Sequence, residues 1–285
     1  MPSTIFETLT SAFFLNNAWP LMLAALAAGV VDSMGGGGGL ITVPTLLNLG
    51  VPPIFLLGTN KTISAGGSLP ALLRYRRANL LPKLGMKVWL LLIVLCFSMA
   101  AVGAFLSQHK AFLDRISTIV PILLVIVMSF MIKRWFWDEK KGKAIAHLSP
   151  QNDIDTPLLL IGKLKSLGTP LGLAGISLYD GLLGPGTGAF FMNFLEQHGV
   201  KTLTANAITK VFNLSSNLGA LTFFVMEGRT LWPLGLSGAV SYAIGNYLGA
   251  GFVLKRGQGL VRTVVLVVTT TLLLRYLYRY FTSQI

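Results

Sequence analysis

Along this chain apolar residues gather into long runs separated by short polar gaps, with neither the alternation of a half-buried strand nor the narrow stripe of a soluble surface helix. The runs extend over Trp19–Val31, Leu40–Leu49, Ile54–Leu73, Val88–Ser107 and Ile116–Trp137. After a polar stretch they resume at Leu167–Tyr179, Ala189–Leu195, Leu203–Met226, Leu231–Leu254 and Leu260–Phe281. About 20 apolar residues in a helix cross the hydrocarbon core of a bilayer. Most runs therefore predict membrane helices, and the short ones, each beside a glycine cluster, predict helices broken inside the bilayer. The polar stretch from Asp138 to Lys165 contains Pro150, Asn152, Asp153, Asp155 and Pro157 and reads as a loop. The expected layout is an N-terminal interfacial segment (1–18), a first transmembrane repeat (19–137), a cytoplasmic loop (138–165) and a second repeat (166–285).

The two sides of the loop match. Gly35, Gly37 and Gly39 align with Gly184, Gly186 and Gly188 at an offset of 149 (184 minus 35). The same offset carries Gly50-Val51 onto Gly199-Val200, Lys61 onto Lys210, and Ala71-Leu72 onto Ala220-Leu221. Internal repeats are a common construction of secondary transporters.

Composition agrees with a membrane chain: 53% hydrophobic, 12% charged, mean hydropathy +0.69. The net charge of +13 does not indicate nucleic acid, because the basic residues sit in short connections where membrane topology selects them. Arg74, Arg76, Arg77, Lys83 and Lys87 assign their loop to the cytoplasm, as do Lys133, Arg134, Lys140, Lys141, Lys143, Lys163 and Lys165 for the midpoint. Lys255, Arg256 and Arg262 make a third such loop. That assignment requires Leu167 to Glu196 to enter and leave on one side, as a re-entrant hairpin. The expected fold is an all-α polytopic membrane protein of two inverted repeats, each a Gly-broken re-entrant helical hairpin plus three transmembrane helices, with the N-terminus outside. If the broken segments cross fully, eight spans and parallel halves result. No Lys or Arg precedes Lys61, so no secretory signal peptide is expected.

Candidate chemistry collects at the glycine breaks. Backbone interrupted in lipid must be buried in protein or line a wet cavity. A helix restarting after Gly35, Gly36, Gly37, Gly38 and Gly39, or after Gly184, Gly186, Thr187 and Gly188, presents free N–H groups and a positive dipole end to an anion. Lys61 and Lys210 occupy matched positions in apolar spans and suit an anionic substrate; ion pairing with Asp180 or Asp32 is the alternative. Asp32 and Asp180 are candidates for proton coupling, lysine pairing or capping. Asn60, Ser64 and Ser68 in one span, and Asn206, Asn213, Ser216 and Asn217 in the other, recur at roughly helical spacing, as oxyanion ligands or as interhelical hydrogen bonds.

Other residues read as structural. Cys96 lies in an apolar run, His109, His147 and His198 lack metal-ligand spacing, and Trp135 and Trp137 suit an interfacial belt. No metal, cofactor or nucleic acid is expected, and a homo-oligomer is left open.

The paired motifs, Gly35 to Gly39 followed by Pro44, LGTN at Leu57 to Asn60, and DGLLGPGTG at Asp180 to Gly188, resemble those of the TauE/SafE family of sulfite exporters. The resemblance covers most of the chain. It implies a cytoplasmic-membrane permease, not an enzyme, for sulfite, organosulfonates or related sulfur oxyanions, often exporting them. The reading is alternating access, with proton coupling as an open addition. A passive anion channel is the nearest alternative; an intramembrane aspartyl protease built on Asp32 and Asp180 is a distant one.

Overall fold

The computed structural model describes residues 3–145 and 168–256, and beyond them Thr270, Thr271, Leu274, Tyr278 and Thr282, all helical. Among the described residues the chain forms ten helices and no strand. They are α1 (Ser3–Asp32), α2 (Gly39–Asn48), α3 (Pro53–Arg77), α4 (Met86–Leu106), α5 (Lys110–Leu113), α6 (Ile116–Ile145), α7 (Gly168–Leu182), α8 (Thr187–Gln197), α9 (Thr202–Met226) and α10 (Trp232–Arg256).

Most boundaries follow the apolar runs, with three differences. Helix α1 begins at Ser3 instead of Trp19, and α6 continues through Asp138–Ile145, a segment rich in the good helix formers Lys, Glu and Ala. The short α5 has no counterpart among the runs. His147, the remainder of the expected midpoint loop and most of Leu260–Phe281 lie outside the described residues, as do the side chains of Trp135 and Trp137.

The repeat extends to the ends of the helices. Adding 149 to Pro53 and Arg77 gives Thr202 and Met226, so α3 and α9 coincide over 25 residues each. Helix α2 ends in a left-handed glycine, Gly50 (φ 78°), and α8 in its equivalent, Gly199 (φ 85°). In both, the amide two residues past the cap returns to the helix, Val51 to Leu46 O and Val200 to Leu195 O, each at 3.1 Å. Asn79 (φ 54°) and Gly228 (φ 65°) repeat the device after α3 and α9, with Leu80 donating to Tyr75 O and Arg229 to Phe224 O.

Helices α3 and α9 form the centre and run antiparallel: Lys61 early in α3 meets Asn217 late in α9, while Tyr75 late in α3 meets Asn206 early in α9. Each is flanked by a parallel helix from the other half. Gly235 and Gly251 of α10 lie against Thr62 and Arg74 of α3, and Gly219 of α9 lies against Phe97 of α4. Small residues permit these approaches: a Cβ on Gly181 would stand 1.9 Å from Ala100 O, and one on Gly245 would stand 2.0 Å from Leu26 O.

These directions bring Arg74, Arg76, Arg77, Lys255 and Arg256 to one end of the bundle, with Lys83 and Lys87 beside the start of α4 and Lys201 before α9. At the opposite end Arg229 bonds Gln108 and lies 4.0 Å from Glu227.

The polarity of the bundle is inverted relative to a water-soluble protein. Helix α10 exposes Trp232, Leu236, Val240, Ile244, Leu248 and Phe252, one face at four-residue spacing, whereas α3 and α9 bury Asn60, Lys61, Ser64, Asn206, Lys210 and Asn213. Only Met86–Leu106, among the described residues, is both long enough and apolar enough to cross a bilayer by composition alone. Helix α3 owes its more polar composition to side chains that point into the bundle and do not face lipid.

Candidate functional site

The two glycine breaks meet at the centre. A Cβ on Gly36 would lie 2.2 Å from the Gly188 Cα, and one on Gly39 would lie 3.2 Å from the Pro185 Cα. Gly36 (φ 76°), Gly184 (φ 92°) and Gly186 (φ 81°) are left-handed, so both turns need glycine for conformation as well as space. Helices α2 and α8 start from this contact. Thr187 Oγ1 donates to Gly184 O at 2.7 Å and Tyr179 OH to Pro185 O at 2.6 Å, which hold the second turn.

Around the turns are two buried ion pairs, each joining the halves. Lys61 Nζ lies 2.7 Å from Asp180 Oδ1, and Lys210 Nζ lies 2.9 Å from Asp32 Oδ2. All four residues are at most 2% exposed. The pairing alternative raised by the sequence is thus the observed one, and the lysines are not free cations. Breaking such a pair by removing one partner costs about 3–5 kcal/mol, because it leaves an uncompensated buried charge. Lys61 also donates to Asn217 Oδ1 at 3.0 Å, and Asp180 Oδ2 accepts from Ser216 Oγ at 2.6 Å. Lys210 donates in addition to the Asp32 carbonyl, and Asp32 Oδ2 accepts from Asn246 Nδ2 at 3.0 Å.

A cavity opens beside the first pair. It is lined by Asp32, Gly37, Gly38, Gly39, Asn60, Lys61, Ser64, Asp180, Gly184, Gly186, Thr187, Gly188, Asn213, Asn217 and Tyr242. Its free space holds about one or two water molecules. A polyatomic anion therefore requires side-chain movement to enter. The amides of Gly37, Gly38, Gly39, Gly186 and Gly188 have no acceptor in the protein among the described residues. An ammonium has three N–H groups, and Lys61 uses two on Asp180 and Asn217. Unused donors therefore surround a small polar space.

The remaining residues singled out by the sequence lie around the cavity without lining it. Gly35 (φ 129°) backs onto Met192, Gly36 forms the tip contact, and Ser216 and Lys210 hold the aspartates. Asn206 Nδ2 donates to Ser33 O at 3.0 Å and to Tyr75 OH at 3.1 Å. His198 Nδ1 lies 2.8 Å from Phe194 O, and Cys96 is buried.

The sequence reading did not pick out Tyr242 and Asn246. They sit four apart on α10, one turn, so both face the site: Tyr242 lines the cavity with Asp32 and Ser64, its hydroxyl against Gly38, and Asn246 engages Asp32, Gly29 O and the Ala71 amide. Polar residues one turn apart in an apolar run were the available signal. Each aspartate is committed to a lysine, which differs from the two carboxylates sharing one proton in an aspartyl protease.

The family model of the sulfite exporter TauE/SafE matches residues 21–276. The chain belongs to the TauE/SafE family. As a TauE/SafE protein it is 34% identical over 265 residues to the probable membrane transporter protein ORF9 of Sinorhizobium sp, covering 90% of this chain and 91% of the relative. It is 30% identical over 281 residues to the probable membrane transporter protein YfcA of Escherichia coli K12, covering 95% and 94%. A probable membrane transporter protein of Haemophilus influenzae is 31% identical over 262 residues, covering 90% and 93%. No solved structure matches the chain at a significant level. The chain is a membrane transporter of this family, and its two glycine turns and LGTN segment are the motifs that carried the resemblance.

Proposed function

We propose that this TauE/SafE protein is a permease for a small sulfur oxyanion, sulfite or an organosulfonate, moved by alternating access between two inverted repeats. The observation that carries the reading is the cluster of unused donors around one small cavity: five glycine amides and the third N–H of Lys61. Amides at helix starts suit oxyanions, since they add partial positive charge and need no side-chain reorganisation.

Inversion is supported by the antiparallel course of the equivalent helices α3 and α9, since repeats related by an axis along the membrane normal would run parallel. The collection of basic residues at one end supports a cytoplasmic face there and a multi-pass chain in the cell membrane. Parallel packing of α1 on α10 and of α7 on α4 supports hairpins that return to the side they enter.

The buried charges sum to zero, two lysines against two aspartates. An anion entering this cleft adds a net negative charge in a medium of low dielectric. Protonating Asp32 or Asp180 offsets it, so the reading includes cotransport of one proton. The test is flux of sulfite, sulfate, thiosulfate and short sulfonates into proteoliposomes, with and without a pH gradient. Saturable flux of a sulfur oxyanion that accelerates with an inward proton gradient supports it. Flux that does not saturate, or none for any of these anions, overturns it.

A further inference from the structure

The two lysine corners are equivalent in the repeat but stand in different states. At the cavity, Lys61 is joined by Asp180 and Asn217, with Asn60 nearby accepting from Thr42 Oγ1 at 2.5 Å. Subtracting 149 from 217 and from 209 makes Ser68 the counterpart of Asn217 and Thr209 that of Asn60, so the second corner is Lys210, Asp32, Ser68 and Thr209. Lys210 does not line the cavity and turns instead to the Asp32 side chain and carbonyl.

Ser68 is 1% exposed and Thr209 0%, and neither hydroxyl has a hydrogen-bond partner. Helical hydroxyls ordinarily return to the carbonyl one turn back, as Thr62, Ser177 and Ser215 do here. Ser68 and Thr209 depart from this habit, and both are counterparts of engaged site residues. Their symmetry supplies a reason. In an inverted-repeat carrier, exchanging the conformations of the halves generates the opposite-facing state. That exchange would bring Ser68 and Thr209 to Lys210 as Asn217 and Asn60 now stand to Lys61.

We propose that Lys210, Ser68 and Thr209 form a second oxyanion subsite, closed in this conformation, which opens to the opposite face of the membrane when the Lys61 corner closes. The inference rests on the permease reading and adds a second, sequential binding position to it. The anion leaves Asn217 and Asn60 and is received by Ser68 and Thr209, so the two faces bind through different residues.

The test reads accessibility, which needs no knowledge of the natural anion. In a Cys96→Ser background, Ser68→Cys and Thr209→Cys represent the second corner and Asn217→Cys and Asn60→Cys the cavity corner. Each is reconstituted in vesicles and treated from either side with the impermeant anion 2-sulfonatoethyl methanethiosulfonate. The two corners should label from opposite sides, each at least about tenfold faster from its own side than from the other, the ratio expected when access is confined to one facing state. Labelling of both corners from the same side overturns the proposal, and so does a second corner unreactive from both. Sulfite flux in vesicles of the unsubstituted protein is read separately. Its absence would count against the substrate reading, while opposite-sided labelling stands or falls by itself.

Discussion

The contact between the glycine turns makes a sharp prediction at Gly36. Its Cβ would stand 2.2 Å from the Gly188 Cα, 2.6 Å from the Gly188 carbonyl carbon and 3.0 Å from the Ala189 amide nitrogen. All three are backbone atoms at the start of α8 and cannot swing aside. Ordinary carbon contacts are about 3.5–4.0 Å, so Gly36→Ala forces the turns apart by more than about 1 Å. Gly36 is also left-handed at φ 76°, which costs an alanine about 1–2 kcal/mol. Overpacking adds about 1–3 kcal/mol. The expected loss is thus about 2–5 kcal/mol, together with misalignment of the amides of Gly37, Gly38, Gly186 and Gly188 around the cavity. Gly50→Ala is the internal control: its φ of 78° is nearly the same, yet nothing lies within 4 Å of its added Cβ. It should lose only the conformational contribution. Thermal unfolding of the detergent-solubilised protein, followed by intrinsic tryptophan fluorescence, ranks the two. If Gly36→Ala is no more destabilised than Gly50→Ala, the backbone contact between the halves is refuted.

Lys61→Met should destabilise the protein by about 3–5 kcal/mol, and adding Asp180→Leu should recover much of the loss; additive effects in thermal unfolding would refute the buried pair. Tyr242→Phe keeps the ring against Gly67 and Gly38 but removes the hydroxyl from the cavity lining. It should raise the KM for the transported anion in proteoliposome flux; an unchanged KM would exclude Tyr242 from the site. Asn79→Ala places alanine at φ 54° and should lower stability by about 1 kcal/mol, whereas Asn79→Gly should not; equal melting temperatures for the two variants would reject the capping account.

The sequence made some of this structure legible because a strong physical constraint acted on each legible position. The turns before α2 and α8 and the turns after them need left-handed residues, so both left repeated glycines at a constant spacing. Lys61 and Lys210 were conspicuous because an ammonium in an apolar run is expensive. The two aspartates were legible as possible partners, but not which of them pairs with which lysine. Asp180 lies 119 positions from Lys61 (180 minus 61), and only the crossing of α3 with the opposite half brings them to 2.7 Å. Tyr242 was hidden for another reason: its ring belongs in a membrane helix and only its hydroxyl reaches the site, so its chemistry depends on which way α10 is rotated. The difference between the lysine corners was less legible still. Equal spacing predicts equal surroundings for Lys61 and Lys210, yet Asn217 engages the first while its counterpart Ser68 stands idle. A symmetric sequence folded into one asymmetric conformation must hold some equivalent groups in use and others out of use. In the permease proposed above, that asymmetry would belong to the facing state and reverse in the other.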